Sequence, residues 1–150
     1  MRGIIAVNNL GYIGLDGELP WKSSEDLKHF KKLTMGDPVL VGYRTYETLP
    51  PLKGRKILLD DVNRHVTMLD KTIDDIPFDY YKDGDGLWCI GGKKTYERYA
   101  DFFDELHISH IDDNTIGDTM FPDFSRLNPD CKVVNYYFGG DWLLPLPLQY

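Results

Sequence analysis

The chain predicts an α/β fold: one mostly parallel, twisted sheet with flanking helices and an antiparallel edge at its C-terminal end. Three observations predict it. Short continuous apolar runs, Ile4-Ile5-Ala6-Val7 and Val39-Leu40-Val41, read as strands buried on both faces. Segments of helical pattern alternate with such runs, and that alternation calls for crossover connections and parallel strands. The last two strand-like runs, 106–111 and 132–138, have no helix between them, so this end of the sheet is expected to turn antiparallel.

Taken in order, residues 4–7 make the first strand, and 8–17 a loop that Gly11, Gly14 and Gly17 allow to turn tightly. Ser23 or Ser24 caps a helix that ends near Gly36. Asp37-Pro38 breaks the chain, and 39–42 is the second strand. A short helix runs from about 45 to 49, stopped by Pro50-Pro51. Residues 56–59 are a third strand and 65–69 a weaker fourth. Residues 73–76 form one helical turn, and 79–86 is a polar, acidic loop. Leu87-Trp88-Cys89-Ile90 leads into Gly91-Gly92, followed by a helix over about 93–103. The runs 106–111 and 132–138 close the series, the second turned by Gly139-Gly140. With no internal repeat, linker or low-complexity tract, residues 1–150 are expected to be a single domain.

Composition narrows the classes of function. A net charge of −7 argues against a nucleic-acid surface, which needs clustered Lys and Arg to neutralise phosphates. The apolar start is too short for a signal-peptide core or a membrane span, so a cytoplasmic protein is expected. Cys89 and Cys131 lie far apart and fit no metal spacing; reduced thiols are expected. His107 and His110 stand three apart on a strand, on opposite faces, so no shared metal is expected there. His29 is expected in solvent.

Two strand-to-helix junctions carry cations. Gly42-Tyr43-Arg44-Thr45 ends one strand and opens a helix, and Ile90-Gly91-Gly92-Lys93-Lys94-Thr95 repeats the arrangement. The glycines either permit tight turns and no more, or admit an anion to free N–H groups at a helix start. Two such junctions in one small domain favour a cofactor bearing a diphosphate, although neither matches the dinucleotide fingerprint or the P-loop. Asp26 also carries two readings. Ser23-x-x-Asp26 fits a capping box, with an acid favoured by the helix dipole. Yet Asp26, Phe30 and Leu33 share one helix face, with Leu27, Phe30 and Thr34 on the next, which places Asp26 at the border of the buried side. An inward carboxyl would have its pKa raised by desolvation and could assist proton delivery near neutral pH.

Taken together the chain resembles the dihydrofolate reductase family from Ile4 to about Asp123. The resemblance rests on Ile13-Gly14, Leu19-Pro20-Trp21, Asp26-Leu27 with Phe30, Gly42-x-x-Thr45, Gly54-Arg55-Lys56, Ile90-Gly91-Gly92, Tyr96-Glu97, His110-Ile111-Asp112 and Gly117-Asp118-Thr119 before Phe121-Pro122. It implies hydride transfer from NADPH to C6 of 7,8-dihydrofolate, with protonation at N5. On that basis Asp26 would bind the pterin and promote protonation through water, Trp21 would hold that water, and Leu19 would belong to a mobile loop over the nicotinamide. Ser109 would take the place of a usual Thr beside the acid. Ile4 and Ile90 would offer backbone carbonyls to the pterin, and Tyr96 would lie beside the nicotinamide. Leu27, Phe30, Leu49 and Leu52 would pack on the substrate rings, and Arg55 would clamp its α-carboxylate. Ala6, Ile13, Gly14, Gly42, Tyr43, Arg44, Thr45, Ile90, Gly91, Gly92, Lys93, Lys94, Thr95 and Arg98 would hold the cofactor, across a cis Gly91-Gly92 peptide. The small-molecule substrate would be the partner, with neither nucleic acid nor membrane, and the chain would work as a monomer or weak homo-oligomer.

Three stretches depart from the family. Asp60-Asp61 and Asp70 make the adenosine end acidic, where Tyr43 also replaces a usual Arg; a carboxylate there repels a 2′-phosphate and suits a free ribose hydroxyl. Arg44, Arg64 and Arg98 are the candidate compensating cations. The tail 142–150 carries Pro145 and Pro147, which cannot donate to a sheet ladder. The loop 79–86 has no family role. A pyrimidine reductase of riboflavin synthesis shares the fold and cofactor, but the Trp21 and Asp26 pair suits pterin protonation instead. A non-catalytic nucleotide-binding or assembly module is the reading from another class.

Overall fold

The computed structural model describes residues 1–21, 23–50, 52–60 and 86–139, and the backbone of 66–68. The expectations for 73–76 and 79–85, for Asp61, Arg64 and Asp70, and for the tail 142–150 lie outside the described residues. In chain order the elements are β1 (Arg2–Asn8), β2 (Tyr12–Gly14), α1 (Ser24–Thr34), β3 (Val39–Gly42), α2 (Tyr43–Thr48), β4 (Ile57–Asp60) and β5 (Val66–Met68). They continue with β6 (Trp88–Cys89), α3 (Lys93–Tyr99) running into a 3-10 turn (Ala100–Phe102), β7 (Glu105–Ile111), β8 (Thr119–Met120) and β9 (Lys132–Phe138).

The main sheet has the order β5-β4-β3-β6-β1-β7-β9, and β2 and β8 form a small antiparallel pair beside it. Alternation along the central strands divides the apolar side chains between two layers. Ile4, Val39, Val41, Trp88 and Ile90 pack on one side, under Phe30 and Leu33 of α1 and Tyr46 of α2. Ile5, Leu40, Leu58, Cys89 and Leu106 pack on the other, under Tyr96 and Tyr99 of α3 and the neighbouring Phe103. Burial of each such side chain contributes about 1.5–3 kcal/mol. The sheet is therefore covered on both faces, as the continuous apolar runs require.

The expected antiparallel end is a correction. The last two strands of the main sheet, β7 and β9, pair in parallel along their whole length, from Glu105 opposite Lys132 to Ile111 opposite Phe138. Residues 112–131 supply the physical reason: a connection of that length can carry the chain back to the starting end without a helix. The antiparallel ladder of the main sheet lies at the opposite edge, between β4 and β5. A second correction concerns 8–17, which is not plain loop. It contains β2, and Leu15 and Glu18 exchange backbone hydrogen bonds around Asp16-Gly17. Both turn residues have positive φ, 51° and 80°, which is the two-residue hairpin geometry that Asp-Gly favours. A third is the start of α2, two residues earlier than expected, so Tyr43 and Arg44 lie inside its first turn. No helix among the described residues is long and apolar enough to cross a membrane.

Candidate active site

The side of the sheet covered by α1 and α2 holds a buried acid. Ser23 caps α1 by accepting from the Asp26 amide at 3.2 Å, so the cap engages the backbone and leaves the carboxyl free to turn inward. Asp26 is 6% exposed, whereas the next residue, Leu27, is 54% exposed. An acid inside and a leucine outside is the inverse of a packing helix, and it marks the wall of a cleft. Burial pushes the Asp26 carboxyl from 3.8 up to about 6, against Ser109 and Trp21, which hold it down. Ser109 reaches this place because it stands opposite Ala6 in the β1–β7 register, on the face that also carries Ile4. Trp21 is buried too, and its Nε1–H, although near enough to the Asp26 carboxyl to lower its pKa, makes no hydrogen bond of full geometry to any described residue. A buried N–H without a partner next to a carboxyl is where a water belongs.

Phe30, Leu49 and Leu52 are half-buried against the Ile4–Val41–Ile90 layer, and Leu19 stands outside it, 44% exposed. Arg55 lies over this apolar floor, its guanidinium carbon 5.8 Å from the centre of the Phe30 ring. Its Nη1 donates to the fully buried Thr34 hydroxyl at 3.2 Å and its Nε to the Lys53 carbonyl, also at 3.2 Å. Thr34 in turn donates to the Phe30 carbonyl at 2.8 Å. Nη2 has no hydrogen-bond partner among the described residues. Thr34 is a residue that sequence reasoning placed on the helix face without a role.

The two glycine junctions meet. Strands β3 and β6 are neighbours, and Gly42 N–H donates to Gly91 O at 2.7 Å. The Gly91-Gly92 peptide is cis. A Cβ on Gly42 would sit 2.7 Å from Thr95 Oγ1, and one on Gly92 would sit 2.7 Å from Thr45 Oγ1. Each junction thus faces the threonine of the other, and neither has room for a side chain. Arg44 and Lys94 are exposed beside them, with Lys93 partly so. Tyr43 is 55% exposed, and its hydroxyl pKa is raised by a hydrogen bond with Glu47. Tyr96 is buried and donates to Ile4 O at 2.6 Å, which ties α3 to β1 between the two halves of the cleft.

The loop before α1 is held from two sides. Asp118 accepts from Asp16 N at 2.9 Å, and its own N–H donates to Gly14 O at 2.9 Å. Thr48 of α2 donates to Gly17 O at 2.7 Å. Ile13 packs partly against the layer under α3. None of these contacts was read from the sequence, although Asp16-Gly17 was the available signal.

Some expected members lie elsewhere. Asp60 is 2% exposed and faces inward: its carboxylate accepts from Arg98 Nη1 and, at 2.7 Å, from the Tyr99 hydroxyl. Asp60 therefore does not leave an acid open to solvent at the end of β4, and Arg98 is engaged by it. His29 is only partly in solvent. Its ring lies 4.1 Å from that of Tyr136 and 5.2 Å from that of Phe138, with Nε2 buried and unpartnered among the described residues. Burial, then His107 and Lys32, lower its pKa. His107 and His110 are also lowered, chiefly by burial. For a lowered base the unfolded chain takes up protons first, so stability is expected to fall as pH drops below 6.5 through the folded values. His29→Phe should stabilise the protein by about 1 kcal/mol by removing the unpaired atom. The gain should be larger at pH 5.5 than at pH 7.5 in urea unfolding. Both cysteines are free, Cys89 with its thiol pushed up to about 12 by burial.

Comparison with known proteins agrees with this geometry. Residues 1–132 match the family model described as dihydrofolate reductase. The type 3 dihydrofolate reductase of Salmonella typhimurium is 35% identical over 129 residues, covering 82% of this chain and 77% of that protein. The dihydrofolate reductase of Staphylococcus aureus strain Mu50 is 33% identical over 118 residues, covering 75% and 72%. The solved structure of the Enterococcus faecalis dihydrofolate reductase, complexed with NADP(H) and RAB-propyl, superposes with a TM-score of 0.65. It is 25% identical and covers 83% of this chain and 77% of that one.

Proposed function

The chain belongs to the dihydrofolate reductase family, and from that premise we propose how its residues share the NADPH-dependent reduction of 7,8-dihydrofolate to tetrahydrofolate. The observation that carries the reading is Asp26, a carboxyl buried in an apolar cleft with its pKa near 6. Such a group accepts the donor edge of a pterin when ionised, and when protonated it delivers a proton near neutral pH. The unpartnered Trp21 N–H is suited to hold the water through which that proton reaches N5. Ser109 orients the carboxyl from the sheet. Leu27, Phe30, Leu49 and Leu52 exclude bulk water around the rings, and the carbonyls of Ile4 and Ile90 accept from the pterin.

The place where the glycine junctions face each other suits a diphosphate, with bare backbone, two threonine hydroxyls and flanking cations together there. Gly42, Arg44, Thr45, Gly91, Gly92, Lys93, Lys94 and Thr95 would hold it, with Ala6, Ile13, Gly14 and Tyr43 on the path beside. When bound, NADPH supplies the hydride for C6. With Asp60 held by Arg98 and Tyr99, the repulsion expected from that carboxylate against a 2′-phosphate is removed. The chain would act as a single cytoplasmic domain, a monomer or weak homo-oligomer.

Arg55 gives a separate test of substrate orientation. Arg55→Leu should raise KM for dihydrofolate by about 10- to 100-fold, the loss of a charge-assisted pair of about 1.5–3 kcal/mol. KM for a dihydropterin without the glutamate should stay unchanged. Oxidation of NADPH by the unmutated protein with dihydrofolate tests the whole reading; no dihydrofolate-dependent oxidation would sink it.

A further inference from the structure

The last residue of β1, Asn8, joins the two loops that meet at the mouth of the cleft. Its side-chain amide is 6% exposed and uses its full hydrogen-bonding capacity. Oδ1 accepts from Leu10 N at 3.1 Å and from Tyr12 N at 2.9 Å, the first residues of the loop that leads to Leu19 and Trp21. Nδ2 donates to Thr115 O at 2.7 Å and to Asp113 Oδ2 at 3.2 Å, in the connection that leads to Asp118. Asp113 is in turn held by Thr115, whose N–H and hydroxyl both donate to it at 3.0 Å. The contact at the loop tip, Asp118 with Asp16, is exposed. A water can replace an exposed hydrogen bond at little cost, whereas an unsatisfied buried amide is expensive. Asn8 is therefore the pivot, and the tip contact a latch.

Asparagine is the residue type this place requires. Two acceptor sites on one side and two donors on the other are available together only in a carboxamide of this length. Alanine would leave the Leu10 and Tyr12 amides and the Thr115 carbonyl without this partner. Aspartate would keep the acceptor half and set a second carboxylate against Asp113.

We propose that Asn8 is a positioning residue for the reductase reaction: it locks the root of the 10–21 loop to the 112–119 loop, so the two move as one lid over the cleft. The proposal rests on the reductase reading for its kinetic consequence, though not for the coupling itself. Asn8 is not among the residues assigned to substrate or cofactor, and it acts through the placement of Leu19 and Trp21.

The test compares the unmutated protein, Asn8→Asp, Asn8→Ala, and the double variant Asn8→Asp with Asp113→Asn, which restores one donor between the two positions. Hydrogen exchange reads the coupling without turnover. In Asn8→Asp, amides in 10–21 and in 112–119 should lose protection together, and the double variant should regain it in both. Loss in one loop alone, or in neither, would overturn the proposal. Kinetics reads the consequence: kcat should fall about tenfold or more in Asn8→Asp, as for enzymes whose lids gate turnover, with KM for dihydrofolate nearly unchanged. The double variant should recover most of kcat. A lowered melting temperature with kcat and KM intact would mean a structural role only and would also overturn it. If Asn8→Ala fails to fold, the two Asp-bearing variants decide. An unmutated protein without dihydrofolate-dependent oxidation would refute the reductase reading, and with it the kinetic half, while the exchange result still decides the coupling.

Discussion

Asp26→Asn should remove most of the turnover at neutral pH and, at the same time, make the protein more stable. General acid assistance contributes about 10²–10⁴-fold, and a carboxamide cannot supply it. Turnover should recover in part at low pH, where solvent protonates the substrate directly. The stability gain follows from the sign of the shift. A folded pKa of about 6 against 3.8 unfolded means that the ionised form opposes folding. That cost is absent below the unfolded value, grows as pH rises between the two, and is fully present above about 6. It amounts to about 3 kcal/mol at most. Urea unfolding at pH 7.5 should show a variant more stable by up to that amount, and at pH 4 the difference should nearly vanish. Equal stability at both values would mean that the carboxyl is not desolvated. Full activity would return Asp26 to a capping role.

Gly91→Ala is expected to damage both stability and cofactor binding. Gly91 has φ +110°, a region closed to other residues, and a Cβ there would lie 2.9 Å from the Tyr96 ring. That ring cannot move aside readily, because it is buried and its hydroxyl is anchored on Ile4 O. Backbone strain of about 1–3 kcal/mol and overpacking of about 1–3 kcal/mol fall on the same site. Against a total stability of about 5–15 kcal/mol, the melting temperature should drop by about 10 °C. NADPH affinity should fall as well, since Gly91 O also receives the Gly42 amide. Gly36→Ala is a useful comparison: its φ is +83°, but nothing lies within 4 Å of the added carbon. It should show the strain alone, at a smaller cost and with cofactor binding unchanged.

The parts of the fold legible in the sequence are those decided by neighbouring residues. The strand cores 4–7, 39–42 and 132–138, the Ser23 cap, and the glycine pair before α3 depend on local pattern and backbone freedom, and they stand where expected. What escaped depends on partners far along the chain. The direction of β9 beside β7 is decided by how residues 112–131 travel, not by anything within either strand. The burial of Asp60 needs Arg98, 38 residues away. The partial cover of His29 needs Tyr136 and Phe138. At the site, Asp26 was legible as an acid at a helix border, but its two readings were separable only once its amide and its carboxyl were seen to do different things. Asn8 gave no signal at all, because a single asparagine after a strand reads as a turn.

The strand order also governs how this chain must be made. β1 is synthesised before every other described strand, yet its ladder partners are β6 and β7. At about 5–20 residues per second, several seconds to some twenty pass before residues 105–111 exist to pair with it. During that interval an apolar ribbon with open edges trails from the ribosome, and contacts of this separation also slow the final closure. Ribosome-bound chains ending before β7 should therefore be protease-sensitive throughout and dependent on holding chaperones. Protection should appear abruptly once β7 has emerged, with the central sheet locking in one late step.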